Sequence, residues 1–173
     1  MKKLILYLAV ISTFISCGSS KTLSPEKQAE LNAKKEKYKE IFEKQSFALE
    51  ANTVYSKKGR SFQVNPTINF VLLKEGKGTL QLGFEQLIGW NGLGGITLEG
   101  NVRNYKVIDG NENQMPRVKF DMNGSLGWAT VNITVNSSGI ARATVDGNFG
   151  ERITFSGPLK DLSESRIYKG SHL

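Results

Sequence analysis

The side chains that most often carry out chemistry are scarce in this 173-residue chain. It has one histidine, His172, next to the last residue, and one cysteine, Cys17. A nucleophilic triad needs a histidine beside a serine or cysteine, and a zinc site needs several cysteine or histidine ligands. The glycine-rich segment 89–95 also lacks the lysine and Ser/Thr of a phosphate-binding loop. We therefore predict no catalytic residue, no metal site and no cofactor.

Carboxylates are the remaining catalytic candidates, because a pair of them can hydrolyse a glycosidic bond. Nine lie between residues 47 and 160: Glu50, Glu75, Glu85, Glu99, Asp109, Glu112, Asp121, Asp146 and Glu151. Asp109, Glu112 and Asp146 are expected at turns, and Glu99 and Asp121 on polar strand faces. The pattern marks none of the nine as buried, and burial is what raises a carboxyl pKa towards that of a general acid. A carboxylate-dependent hydrolase is the least favoured interpretation, and we expect a protein that is not an enzyme.

Two tryptophans are better candidates for contact with a ligand or partner. Trp90 lies in the glycine-rich segment and Trp128 opens a strand after Gly127. A rigid ring offers a large contact area at a small entropic cost. Filling of the core is the more favoured interpretation of both rings, and of the two Trp90 is the better candidate for contact because it lies in a loop.

Cys17 follows a pattern of its own. Lys2 and Lys3 precede a predominantly apolar run of 12 residues, 4–15, and then Ser16. A basic segment, a short apolar run and a small residue form a bacterial secretory signal. Its end, Phe-Ile-Ser-Cys, resembles a lipobox, which implies cleavage before Cys17 and attachment of acyl chains to that residue. The prediction is a signal peptide over 1–16, then a lipidated cysteine and tether over 17–24.

The same segment predicts where the protein resides. Its apolar run is shorter than the ~20 residues that span a bilayer. Ser16 before the cysteine, and the lack of a leucine three positions before it, resemble the looser lipobox of Bacteroidetes-type envelopes. Residues 18–21 contain no acid, which favours the periplasmic side. We expect a protein anchored by lipid in the outer membrane and facing the periplasm.

The charge is not that of a nucleic-acid-binding protein. Loss of residues 1–16 leaves 21 basic against 16 acidic side chains, a net charge of +5. These charges are dispersed, whereas a nucleic-acid surface shows a basic stripe with interleaved aromatics. The expected partners are the membrane, an envelope protein or a small apolar or glycan ligand, with no nucleic acid.

Residues 25–45 have the pattern of a charged helix. Ser24 is a preferred cap, Pro25 suits the first helical position and Glu26 adds an acidic first turn. The apolar stripe is thin and consists of Leu31, Tyr38, Ile41 and Phe42. We expect the second half to dock on the following domain. A spacer above the membrane and a helix covering a sheet face both fit this pattern.

From residue 47 to residue 160 the pattern alternates, as in antiparallel strands with one buried face. Val118, Phe120 and Met122 alternate with polar residues, and Asn-Gly or Asp-Gly turn signals separate such runs. The predicted strands are 47–55, 61–65, 67–75, 78–84, 94–108, 116–123, 126–136, 139–146 and 151–156. The fold class is mainly β (α+β): an N-terminal helix, then a curved antiparallel meander forming an open barrel or small sandwich. Residues 161–173 are predicted to be a flexible tail.

Several segments together resemble a known family. They are Phe-Ala-Leu-Glu-Ala at 47–51, Gly-Trp-Asn-Gly-Leu-Gly-Gly-Ile at 89–96, the strand pair around 118–135, and Ile-Thr-Phe-Ser-Gly at 153–157. With the lipobox, they resemble domain-of-unknown-function family 4251, small lipoproteins of Bacteroidetes-type bacteria. The resemblance implies a fold and a location but no activity.

The most favoured function is a non-catalytic binding or accessory module in the cell envelope. The alternative is a structural lipoprotein subunit of an outer-membrane complex, in contact through its helix and edge strands. A cleft with apolar walls and converging polar groups would favour a small ligand, and an exposed apolar helix stripe or edge strand would favour a protein partner.

Overall fold

The computed structural model describes residues 24–83, 95–111, 114–148, 150 and 152–167. The chain divides into two compact units, 1–30 and 31–173, and the described part of the first is the start of helix α1 (Pro25–Glu43). The strands are β1 (Ser46–Glu50), β2 (Thr53–Ser56), β3 (Ser61–Gln63), β4 (Phe70–Lys74), β5 (Lys77–Gly83), β6 (Gly95–Ile108), β7 (Arg117–Gly124), β8 (Gly127–Val135), β9 (Ile140–Gly147) and β10 (Ile153–Asp161).

Eight of these strands close into an antiparallel barrel. Strands β4 to β10 pair in chain order, as the predicted meander requires, and β1 pairs with both β4 and β10. In β1, Leu49 lies opposite Val71 on one side and Leu159 on the other. Strands β2 and β3 continue outward from β10 as a hairpin. The mainly β prediction is confirmed, and the sheet closes into a barrel.

The strand predicted at 47–55 is two strands, because the chain bends at Ala51 and Asn52. The Ala51 amide donates to the Asn69 carbonyl, and the Asn52 amide donates to the Ser156 carbonyl. A Cβ atom at Gly157 would lie 1.9 Å from the Glu50 carbonyl oxygen. Only glycine allows β10 to pass so close to β1, and this lets β10 run on to Asp161 beyond the predicted end at 156.

The interior of the barrel is packed with the alternating apolar residues that the sequence predicted. Val118, Phe120 and Met122 on β7 are no more than 1% exposed. Between β5, β6, β9 and β10 an apolar crevice holds about 20 Å³. Around it, the inward side chains of the described strands form a packed core.

The second half of α1 packs into this core. Tyr38, Ile41 and Phe42 are buried with the inner faces of the strands. The phenol of Tyr105 donates to the Phe42 carbonyl at 2.5 Å, and the ring of Phe42 meets that of Phe47 edge-on at 5.5 Å. The predicted docking of the second half is observed. No helix among the described residues is both long enough and apolar enough to cross a membrane.

The helix ends follow local rules. The Lys27 amide donates to the hydroxyl of Ser24 at 3.4 Å, as expected of a cap. The helix stops at Glu43, two residues before the predicted end, because Gln45 takes a positive φ of 50°. This left-handed residue reverses the chain into β1.

Residues 161–167, expected to begin a flexible tail, are folded against β1. A 3₁₀ turn covers Leu162–Glu164. Beyond it, the Ser165 hydroxyl and the Arg166 amide donate to Glu50 at 2.8 and 3.0 Å. The buried carboxylate of Glu50 holds this segment in place, a non-local contact that the polar composition could not reveal. Residues 168–173, including His172, lie outside the described residues.

Candidate functional site

An open groove of about 510 Å³ lies on the outer wall of the barrel. It crosses β4, β5 and β6 and reaches the turn between β7 and β8. This volume falls within the range of small-molecule sites. The polar side chains that line it are Lys74, Glu75, Lys77, Thr79, Glu99, Asn101 and Asn123.

Strand register brings four of these side chains into one line, which we call the polar row: Lys74, Lys77, Asn101 and Asn123. Lys74 lies opposite Lys77, Lys77 opposite Asn101, and Asn101 opposite Asn123. Residues directly opposite each other in antiparallel strands point to the same face. Because the inward neighbours Leu73 and Met122 are buried, the row faces outward.

Trp128 continues the polar row. It lies opposite Asn123 in the pairing of β7 with β8, and it is 52% exposed. Its amide donates to the side-chain oxygen of Asn148 at 2.8 Å, which fixes the backbone at this point. Of the two predicted contact residues, Trp128 therefore has an exposed ring beside a polar groove. Trp90 and Cys17 lie outside the described residues.

Glycines allow the turn between β7 and β8 to lie directly on β6. A Cβ atom at Gly124 would be 1.7 Å from the Glu99 carbonyl oxygen, and one at Gly100 would be 2.6 Å from the Asn123 carbonyl. No side chain separates the two backbones here, so Asn123 is held beside Asn101. Glycine in a strand often marks such a close approach.

A partly buried hydrogen bond lines the groove. The hydroxyl of Thr79, which is 5% exposed, donates to a Glu99 carboxylate oxygen at 3.0 Å. At the rim, the ammonium groups of Lys74 and Lys77 form no ion pair with any described carboxylate. Two free cations, two amides and a fixed carboxylate can bind a polar molecule with hydroxyl groups and an anionic group.

Glu50 and Asp121 do not have the environment of a general acid. Burial alone would raise the pKa of Glu50, but hydrogen bonds from Lys160, Arg166 and Ser165 outweigh it and lower that pKa. Hydrogen bonds from Asn104 and Thr130, at 2.7 and 2.8 Å, lower the pKa of Asp121. Both groups therefore stay ionised at neutral pH.

Each of these carboxylates has a structural partner. Glu50, which no pattern marked as buried, is 7% exposed, and Ser165 and Arg166 of the C-terminal segment contact it. Asp121 lies on the outer face as predicted and binds the side chain of Asn104, whose φ of 52° marks the irregularity in β6 between Arg103 and Lys106. Glu85, Glu112 and Glu151 lie outside the described residues.

Other predicted carboxylates lie at turns and form surface ion pairs. Asp109 is 3.2 Å from the ammonium of Lys39, and Asp146 is 2.7 Å from Arg152. Within the described ranges, no three Asp, Glu, His or Cys side chains gather as a metal site would require.

The groove was not predicted from the sequence as a site. Each of its residues falls on the polar side of an alternating strand, which by itself indicates only contact with solvent. The one available signal was the run of glycines at 76, 78, 100 and 124 near these strands.

Comparison with known proteins gives one family. The model of the domain of unknown function DUF4251 matches residues 29–159. The crystal structure of a DUF4251 family protein from Bacteroides eggerthii is 32% identical, with a TM-score of 0.65, and the match covers 84% of this chain and 99% of that one. A search of curated proteins found no match. The chain therefore belongs to the DUF4251 family, as its strand segments had indicated.

Proposed function

We propose that this protein is a non-catalytic binding module, anchored by lipid at Cys17 to the periplasmic face of the outer membrane. The lipobox supports the anchor, and the Bacteroides origin of a solved relative fits its departures from the stricter motif. Replacing Cys17 with serine would then leave a protein that detergent-free washing removes from membranes. Equal membrane retention of Cys17→Ser and wild type would refute the anchor.

The ligand would bind in the polar groove and would be a short glycan or similar polyhydroxyl molecule with an anionic group. The observation that carries this proposal is the alignment of the polar row with Trp128 on one exposed face. The lysines would pair with the anionic group, and the asparagine amides would hydrogen-bond hydroxyl groups. The Trp128 ring would stack on the apolar face of a sugar. The groove of about 510 Å³ on the outer wall has room for such a ligand, whereas the crevice between β5, β6, β9 and β10 holds only about 20 Å³.

Native mass spectrometry of protein extracted from its own envelope tests this proposal. We expect a bound mass beyond the acyl anchor in the wild type and its loss in Lys77→Gln and in Trp128→Ala. Two matched controls should keep the mass: Lys106→Gln removes an exposed charge elsewhere, and Ile140→Ala trims a residue that is 39% exposed at the β9 start. A wild-type protein with no bound mass, or equal occupancy in all variants, would refute groove binding.

The alternative is a structural lipoprotein subunit of an outer-membrane complex. The apolar residues Tyr38, Ile41 and Phe42 of α1 are buried in the barrel core, so this stripe is not offered to a partner. The observation that favours the alternative is strand β3, which lies at the edge of the sheet and offers a surface to a protein partner.

A further inference from the structure

Strand β3 has one open edge within the described part of the chain. It pairs with β2, with Val54 opposite Phe62, and no described strand lies on its other side. Ser61, Phe62 and Gln63 are all exposed. The eight barrel strands, in contrast, each have a partner on both sides. An open edge is a template for pairing with another chain.

The hydrogen-bond pattern shows which backbone groups face this open edge. The Ser56 amide donates to the Arg60 carbonyl, and the Val64 amide donates to the Asn52 carbonyl. In an antiparallel pair such bonds recur at every second residue, so the backbone groups of Phe62 face β2. Those of Ser61 and Gln63 therefore point away from β2, towards the open edge.

The tip of the β2–β3 hairpin carries three exposed cations: Lys57, Lys58 and Arg60. None forms an ion pair with a described carboxylate. Between Glu50 and Glu75 the sequence contains no acidic residue at all. The nearby Arg152 on the β10 side is already paired with Asp146. The hairpin is thus a basic surface that lacks an acidic counterpart.

An exposed aromatic ring accompanies these charges. Phe62 is 50% exposed and shares the inner face with Val54, which is 7% exposed, and with Phe155. Phe62 thus extends a row of core residues onto the edge strand β3. One more strand beside β3 would cover the ring with an apolar side chain.

We propose that the open edge of β3 binds an extended acidic segment of a partner protein, which adds to the sheet as a further strand. Main-chain bonds to Ser61 and Gln63 would provide affinity. Acidic side chains near Lys57, Lys58 and Arg60, with an apolar one over Phe62, would provide specificity. A second copy of this chain does not fit, because it would bring like charges together.

Binding of a synthetic peptide of alternating valine and glutamate tests the proposal. We expect hydrogen exchange to slow at the Ser61 and Gln63 amides, while the Phe62 amide, already bonded to β2, changes little. A triple variant should bind the peptide about tenfold more weakly, since it removes three charge contacts. Its substitutions are Lys57→Gln, Lys58→Gln and Arg60→Gln. A peptide with lysine in place of glutamate should not bind.

Gln63→Pro separates strand addition from charge attraction. It removes an amide that faces the open edge and leaves the backbone bonds to β2 intact, although the 3.4 Å bond from the Thr53 hydroxyl to the Gln63 side chain is lost. The protein should therefore fold and lose the peptide. Lys77→Gln, which changes the groove, should bind the peptide as wild type does. Loss of peptide binding at β3 can therefore be distinguished from loss of ligand binding in the groove. The proposal is overturned if Gln63→Pro binds as wild type does. The proposal would also be overturned if the Ser61 and Gln63 amides were already protected from exchange without peptide, whether by residues 84–94 or by self-association. Binding to anionic lipid vesicles without any binding to the peptide would overturn it as well.

Discussion

Replacing Phe42 with alanine should destabilise the whole barrel. The residue has no exposed surface, and its ring contacts Phe47 at the start of β1. Removing a buried phenylalanine costs about 3–5 kcal/mol through lost apolar burial and the cavity that remains. For a unit of this size, a loss of about 4 kcal/mol lowers Tm by about 12 °C. The helix is thus predicted to be part of the barrel's cooperative unit.

Urea unfolding, followed by far-ultraviolet circular dichroism and by tryptophan fluorescence, measures this effect. Circular dichroism and fluorescence should give coincident transitions in wild type and in Phe42→Ala. A single free energy of unfolding can then be calculated for each protein. Lys37→Ala is the matched control, because it changes an exposed position of the same helix and should shift stability by less than about 0.5 kcal/mol. If Phe42→Ala lost no more than this control, or if the helix melted separately, α1 would be a spacer and the core assignment would be refuted.

Three further predictions concern single contacts. Tyr105→Phe removes the hydroxyl that donates to the Phe42 carbonyl and should cost about 1 kcal/mol in urea unfolding at constant pH. Glu50→Gln should cost about 2 kcal/mol at pH 7. The pKa of Glu50 is lower in the folded than in the unfolded protein, so its ionised form stabilises the fold above the unfolded pKa. This stabilisation is lost as pH falls through the folded pKa, and the free energies of unfolding of wild type and variant should therefore converge in acid. An equal gap between them at pH 7 and pH 3 would contradict this. Gly124→Ala would place Cβ 1.7 Å from the Glu99 carbonyl oxygen, so the turn between β7 and β8 must move. We expect weaker ligand binding in the groove and a loss of about 1–3 kcal/mol in the free energy of unfolding.

Local patterns predicted the elements well where one physical rule dominates. Alternation identified the buried face of β7, and the serine and proline at 24–25 identified the helix start. Prediction was less accurate where distant segments decide the outcome. The break at Ala51 and Asn52 depends on bonds to Asn69 and Ser156, which no local pattern contains.

The candidate site shows the same division. The exposed position of Trp128 follows from its phase relative to the buried Ala129, so the sequence could nominate it. Its place beside Asn123, Asn101 and Lys77 follows from the register of three strand pairs. A shift of one residue in any pair would turn these side chains to the other face.

The charged helix, the antiparallel strands with one apolar face, and the family were predictable from the sequence. The helix and the strands follow from side-chain periodicity and turn chemistry, which act between neighbours in the chain. Closure of the sheet, the packing of α1 into the core, and the groove and open edge on the surface became visible only in the folded structure. Closure joins β1 to β10 across about a hundred residues. Such pairing depends on the stagger and twist summed over all the strands, and no local segment specifies that sum.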